Sequence, residues 1–189
     1  ILTQINYGLF KNGTISLVLP YVFLGESADT PNGRTTSQAS GLGDLSLVYL
    51  HLFQLGKQSS LSAGGGVKLP TGDTQLRDQN NLILQATLQT GTGSTDYFIL
   101  GQYQYSSPSR PSLIFRQSIS YRLNGSTDQF TFHDDYKFGN EFQSFTGVSD
   151  QFLIGRILQS PNVTLKYRYQ DMFRIEGFEN ENTGGHWLH

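Results

Sequence analysis

Ser112-Leu113-Ile114-Phe115-Arg116-Gln117-Ser118-Ile119-Ser120-Tyr121-Arg122-Leu123 is the stretch whose reading decides the fold. Leu113, Phe115, Ile119, Tyr121 and Leu123 fall on one face, and Ser112, Arg116, Ser118, Ser120 and Arg122 on the other. A period of two belongs to a β-strand with one face against an apolar phase and one against water. The pattern recurs along residues 2–10, 13–24, 41–53, 59–70, 95–105 and 162–174. In 13–24, for example, Ile15, Leu17, Leu19, Tyr21 and Phe23 oppose Thr14, Ser16 and Pro20. Residues 138–154 give the weakest signal, because Phe142 and Phe145 fall on opposite faces; a bulge near Gly147 would restore the alternation. No 3.6-residue periodicity persists anywhere.

The connections alternate too. Residues 11–12, 54–58, 106–111 and 156–161 make short links, whereas 26–40, 71–93, 124–137 and 175–183 make long ones. Tight turns at one end and long loops at the other describe an antiparallel up-and-down meander with unlike ends. Outer-membrane β-barrels have this form, with short periplasmic turns and long extracellular loops. Segments of about 9–14 residues are long enough for a tilted strand to cross a bilayer.

The composition agrees. Charged residues make up 15 % of the 189, against roughly 25 % in soluble domains. Gly (21), Phe (13) and Tyr (10) fill the difference. A mean hydropathy of −0.33 excludes a bundle of membrane helices but not a barrel, which turns half its strand residues toward water. The net charge of −2 offers nothing to nucleic acid. With no cysteine there are no disulfides and no thiolate zinc site. The length suits one domain over residues 1–189. No signal peptide opens the chain, and 184–189 reads as a strand beginning, so both ends are expected to be incomplete. About 8–9 strands are visible, and an intact barrel of about 10–12 is expected.

Charges sort onto this map. Glu26, Asp29, Asp73, Asp78, Asp128, Asp134, Asp135, Glu176, Glu179 and Glu181 lie in the long loops, while each short turn holds one base: Lys11, Lys57, Arg110 or Arg156. Inward strand positions hold Lys68, Arg116, Arg122, Lys166 and Arg168 against Asp44 and Asp96. A charge at mid-bilayer on the lipid face of a barrel costs about 2–4 kcal/mol, and the six cleanest strands avoid it. A soluble lipocalin-like barrel or β-sandwich also alternates, but turns its apolar face inward. The Ser, Gln, Arg and Gly of the polar face, and the loop asymmetry, favour the membrane.

Those seven inward charges are the lumen-lining candidates. Either the bases bias an open lumen toward anions or polarisable substrates, or they pair with Asp44, Asp96 or loop acids across a filled interior. Leu82, Ile83 and Leu84 are too apolar for a free loop. They are expected to fold over or into the barrel mouth as a constriction, or to extend the strands on either side. Gly64-Gly65-Gly66 has no following helix to cradle phosphate and reads as room for curvature or a large neighbour. His133-Asp134-Asp135, with Asp128 near, lacks the spacing of a calcium loop and is expected to meet divalent cations bridging lipopolysaccharide. His51, His186 and His189 are isolated. No catalytic residue, metal site or cofactor is expected.

Three segments carry a family resemblance: Gly41-Leu42-Gly43-Asp44-Leu45, Lys68-Leu69-Pro70-Thr71-Gly72-Asp73, and Leu88-Gln89-Thr90-Gly91-Thr92-Gly93-Ser94. Tyr121-Arg122-Leu123-Asn124-Gly125 and Asn182-Thr183-Gly184-Gly185 also fit. In order and spacing they resemble the outer-membrane family named after the meta-cleavage pathway of phenol degradation. The resemblance implies a Gram-negative outer-membrane β-barrel that passes or binds small hydrophobic compounds such as aromatics, and it brings no catalytic residues. The leading expectation is therefore a passive, porin-like channel or binding pore, not an enzyme. The alternative is a structural barrel that anchors or sheathes a partner complex without transport. Expected partners are membrane lipid, lipopolysaccharide, a small-molecule substrate and, for the structural barrel, a partner protein, with no nucleic acid.

Overall fold

The computed structural model describes residues 1–30, 33–78, 80–128 and 130–189. The alternating segments become β1 (Leu2–Leu9), β2 (Gly13–Thr30), β3 (Gly33–Leu42), β4 (Leu45–Gln54), β5 (Ser59–Leu69), β6 (Asp96–Ser106) and β7 (Ile114–Leu123). Next come the short β8 (Ser126–Thr127) and β9 (Tyr136–Lys137), then β10 (Glu141–Ser149), β11 (Phe152–Ile154) and β12 (Ile157–Gln159). β13 (Asn162–Gln170), β14 (Phe173–Ile175), β15 (Phe178–Asn180) and β16 (Gly185–Leu188) complete the chain. A single 3-10 turn, Ala86–Leu88, is the only helical element among the described residues.

The main sheet runs β1-β2-β4-β5-β6-β7-β10-β13-β16, all antiparallel, with β3 paired to the far half of β2. It is an all-β up-and-down meander. β1 and β16 end the path, and no ladder joins them among the described residues, so the sheet is not closed into a barrel here.

The register assigns the faces. Leu47, Val67, Tyr97 and Leu123 share one; Ser46, Lys68, Asp96, Phe98 and Arg122 share the other. Exposure alternates with them: Tyr97 and Ile99 are 61 % and 66 % exposed, whereas Phe98 and Leu100 beside them are half-buried. A flat, uncovered sheet would expose both faces alike. Sheltering on one side only means that the sheet curves around that side.

Four expectations are corrected. Residues 26–40 form no open loop: β2 continues to Thr30 and β3 returns from Gly33, with Ser27 and Thr36 hydroxyls 3.3 Å apart across the pair. The sequence of this arm is polar at successive positions, so no period-two signal marks it. Residues 31–32 lie outside the described residues. No bulge forms near Gly147, because β10 pairs without interruption with both β7 and β13, and Phe145 sits on the sheltered face. Residues 152–159 do not prolong β10. They form a separate hairpin, β11–β12, turning at Gly155-Arg156 with Gly155 at φ +62, as a type II′ turn requires. Finally, β13 stops at Gln170, and 173–175 joins a second sheet.

The bulge lies elsewhere. Gly43 N–H donates to Pro20 O at 2.8 Å, Val18 pairs with Ser46, and Leu19 therefore faces both Asp44 and Leu45. Pro20, which has no N–H to give, stands where the ladder is already interrupted. Leu45 N–H donates to Thr71 Oγ1 at 2.9 Å instead.

The second sheet, β15-β14-β9-β8, is built from the long connections, and the apolar core lies there. Phe130 (1 % exposed) and Tyr136 pack with Phe138 and Phe173 at ring-centroid separations of 4.7 to 6.1 Å. With Leu88, Phe130 and Tyr136 are the buried hydrophobic residues among those described, and none belongs to the main sheet. Phe130→Ala should therefore cost about 3–5 kcal/mol locally. Hydrogen exchange should rise across 124–140 and 171–184 while β4–β7 keep their protection.

Candidate functional site

The polar positions of β4–β6 converge at the loop end of the sheltered face. Lys68 Nζ lies 3.1 Å from Asp44 Oδ2 and 2.6 Å from Asp96 Oδ2, and it also donates to Thr92 Oγ1. Asp44 accepts the Gly72 N–H at 3.0 Å, the Thr92 N–H at 2.9 Å and the Thr92 hydroxyl at 2.9 Å. Asp96, 1 % exposed, accepts the Ser94 hydroxyl at 2.7 Å and the Gly125 N–H at 3.1 Å. Buried charges persist only when paired and fully hydrogen-bonded, and here the lone pairs and protons find partners. The bulge at Asp44 turns this carboxylate toward Lys68.

Glycines let the backbones close in. A Cβ on Gly91 would come within 2.5 Å of Gly72 C and O, so the two ends of the 71–93 segment touch. A Cβ on Gly43 would meet Pro20 Cγ at 2.8 Å, and one on Gly41 would meet Thr90 Cγ2 at 3.3 Å. Residues 86–91 accordingly lie on the sheltered face of the β2–β3 arm, where the Thr87 hydroxyl donates to Glu26 Oε2 at 2.7 Å. The expected strand extension through Leu82–Leu84 is absent, since β5 ends at Leu69 and β6 starts at Asp96. Instead Leu84 N–H donates to Leu76 O at 2.7 Å, Asp78 N–H to Leu82 O at 2.8 Å, and the Gln89 amide bridges Leu76 and Leu84. Leu82 is 65 % exposed, Ile83 and Leu84 are half-buried, and the anchor is Leu88.

The other candidates form a basic wall on β7 and β13. Arg168 Nε lies 3.1 Å from Glu141 Oε1, and its guanidinium stacks 5.1 Å from the Trp187 ring. Arg116 Nε donates to Gln104 Oε1 at 3.2 Å. Lys166 Nζ lies 5.3 Å from the Phe145 ring. Arg122 stands in register with Glu141, with no carboxylate in ion-pair range among the described residues. Every charged residue of β4–β7, β10 and β13 thus shares the sheltered face. Sequence reasoning missed Glu141 and Phe145. The expected bulge masks their inward direction, although Glu141 lies opposite both Arg122 and Gln170 once the strand is read straight.

The histidines form no cluster among the described residues. His133 Nδ1 is 4.0 Å from Glu176 Oε1, and no three metal-ligating side chains converge among the described residues. His51 and His186 share hydrogen bonds with the Tyr49 and Tyr167 hydroxyls at 3.1 and 2.8 Å on the exposed face. The Gly triplet makes room for a neighbour: a Cβ on Gly66 would come within 2.6 Å of the Phe98 ring.

An antiparallel meander whose motif residues knit long connections to one rim defines a class of sheet proteins. Within it, the chain matches over residues 5–152 the family described as "Putative MetA-pathway of phenol degradation", and it belongs to that family. No curated protein matches it.

The ion cluster should dominate stability. Lys68→Met leaves two buried carboxylates facing each other and should cost about 3–5 kcal/mol, read as a lower urea midpoint. Asp44 lies between β3 and β4, outside the strands. Burial would raise its pKa, but the Thr92 N–H, the Lys68 ammonium and the Gly72 N–H outweigh that and hold it below the ordinary 3.8. A depressed folded pKa contributes stability that is full above the unfolded value and is lost as pH falls through the folded one. Acidification below about pH 4 should therefore release 71–93 to protease, and Asp44→Asn should abolish that pH step.

Proposed function

We propose that this chain forms the wall of a bacterial outer-membrane β-barrel whose sheltered face lines a passive channel or binding pore for small, hydrophobic or aromatic molecules. The observation that carries the reading is where the apolar side chains stand. Ile5, Tyr7, Ile99 and Leu165 of the main sheet are exposed, while the buried hydrophobics all lie in the long connections. A soluble monomer rarely leaves so wide an apolar face uncovered; a bilayer covers it.

The rows along that face add support. Toward the loop end, Tyr121, Phe142, Tyr169 and His186 stand side by side across β7, β10, β13 and β16. Toward the short-turn end stand Phe53, Tyr103, Tyr105 and Phe115. By register Ala63, Gly101 and Ile119 fill the level between, and Leu47 and Val67 stand beside Tyr97 at the loop end. Aromatic rows near both ends of this face match the two membrane interfaces. Open ladder edges are not tolerated in hydrocarbon, so β1 and β16 are closed by further pairing, in a barrel of about 10–12 strands. The long connections then lie outside the cell, against lipopolysaccharide, and residues 82–91 narrow the mouth.

The reading assigns no catalytic step. The alternative, a barrel that anchors or sheathes a partner complex, is separated by one measurement. Liposomes carrying the protein should admit a small neutral aromatic compound faster than empty liposomes. Equal rates would remove the channel and leave the structural barrel.

A further inference from the structure

The charges of the sheltered face do not cancel along its length. At the loop rim, Lys68 is held by Asp44 and Asp96, and Arg168 by Glu141, while Arg122 stands beside that same carboxylate without an ion pair among the described residues. At the opposite rim, Arg110 Nη2 lies 2.6 Å from Asp150 Oδ2. Between the two rims Arg116 and Lys166 have no carboxylate within ion-pair distance among the described residues. Arg116 makes one hydrogen bond, to the neutral Gln104 amide, and Lys166 rests on an aromatic ring.

The register places that ring between the two cations. Phe145 stands directly opposite Lys166 on β13 and Ser118 on β7; Arg116 is one pleat further along β7, opposite Gly147. Gly147 has no side chain to fill the space beside the ring, and a cleft of about 340 Å³ opens there, lined chiefly by Gln102, Arg116, Ser118, Phe145, Gly147 and Thr164, with Lys166 outside that lining, next to Phe145. Ligand pockets commonly occupy about 300–1,000 Å³.

An apolar ring flanked by two uncompensated cations selects a particular chemistry. A neutral aromatic molecule would use the ring and leave both charges unpaired. An aliphatic or inorganic anion would use the charges and leave the ring wet. We propose that this cleft binds a small aromatic carboxylate. Its ring stacks on Phe145. Its carboxylate takes the Arg116 N–H groups not engaged by Gln104, a planar fork matched to two oxygens. The Lys166 ammonium, held only by the ring face, turns to the same carboxylate. The site deepens the pore reading, since it rests on this face lining the path.

The test is calorimetric titration of the full chain in detergent with benzoate, benzyl alcohol and acetate as probes. Benzoate should bind at least about tenfold more tightly than either of the others. Arg116→Gln and Lys166→Gln should each weaken benzoate about tenfold and leave benzyl alcohol unchanged. Lys166→Arg, which keeps the charge, should retain benzoate affinity and guards against misfolding as the cause. Phe145→Leu should weaken benzoate and spare acetate. Equal affinity for benzoate and benzyl alcohol, or benzoate binding indifferent to both Gln substitutions, would overturn the site. Selective benzoate binding by a protein that conducts nothing in liposomes would remove the pore and keep the site; flux without charge preference in binding would do the reverse.

Discussion

One ammonium group organises the loop end of this protein. Lys68 draws together Asp44 from a bulge between two strands and Asp96 from the start of a third, and each carboxylate then holds the backbone of a different long connection. Taking such charges out of water is costly, and a buried ion pair is not in itself a stability device. What it supplies here is geometry: only one arrangement of 71–93 and 124–140 presents the Gly72, Thr92 and Gly125 N–H groups to two fixed carboxylates. The bulge, the proline beside it and the glycine contacts serve that arrangement. The residues carrying the family resemblance are those that build it.

The rest of the sheet is organised by contrast. Away from the rim no described element packs on either face of the central strands, and stability comes from the ladders and from whatever phase covers the exposed side chains. The conventional core, Phe130 with Tyr136, Phe138 and Phe173, sits among the connections. A protein surrounded by water would place these two regions the other way round. The distribution of apolar burial is thus the physical signature of the proposed setting.

The wall is legible in the sequence because its two faces meet different phases: β5, β6 and β7 fall within two residues of the alternation that marks them. The β2–β3 arm is not, because a run of Ser, Thr and Gln carries no period. Phe145 misleads for a related reason. A ring on the polar face breaks the pattern, yet a cation from the next strand satisfies it there. Of the candidate charges, the alternation supplies the correct face, but not which would neutralise one another. Asp44, Lys68 and Asp96 are far apart along the chain, and their meeting depends on a single-residue bulge that no local pattern announces. Arg168 pairs with an acid on the strand whose alternation is weakest, while Arg116, Arg122 and Lys166 remain free of carboxylates among the described residues.

The contact between Gly72 and Gly91 has a consequence for how such a protein can vary. Once these two residues touch, the residues between them form a closed ring, which meets the wall at the clasp, at Thr90 beside Gly41 and at the hydrogen bond from Thr87 to Glu26. The entropy of closing a flexible ring grows slowly, by only about 0.6 kcal/mol for each doubling of its length. The part of the ring beyond those contacts can therefore lengthen, shorten or change its surface chemistry at little cost while the strands below it stay in register. The clasp divides the chain into a conservative frame and a part free to follow whatever meets it from outside.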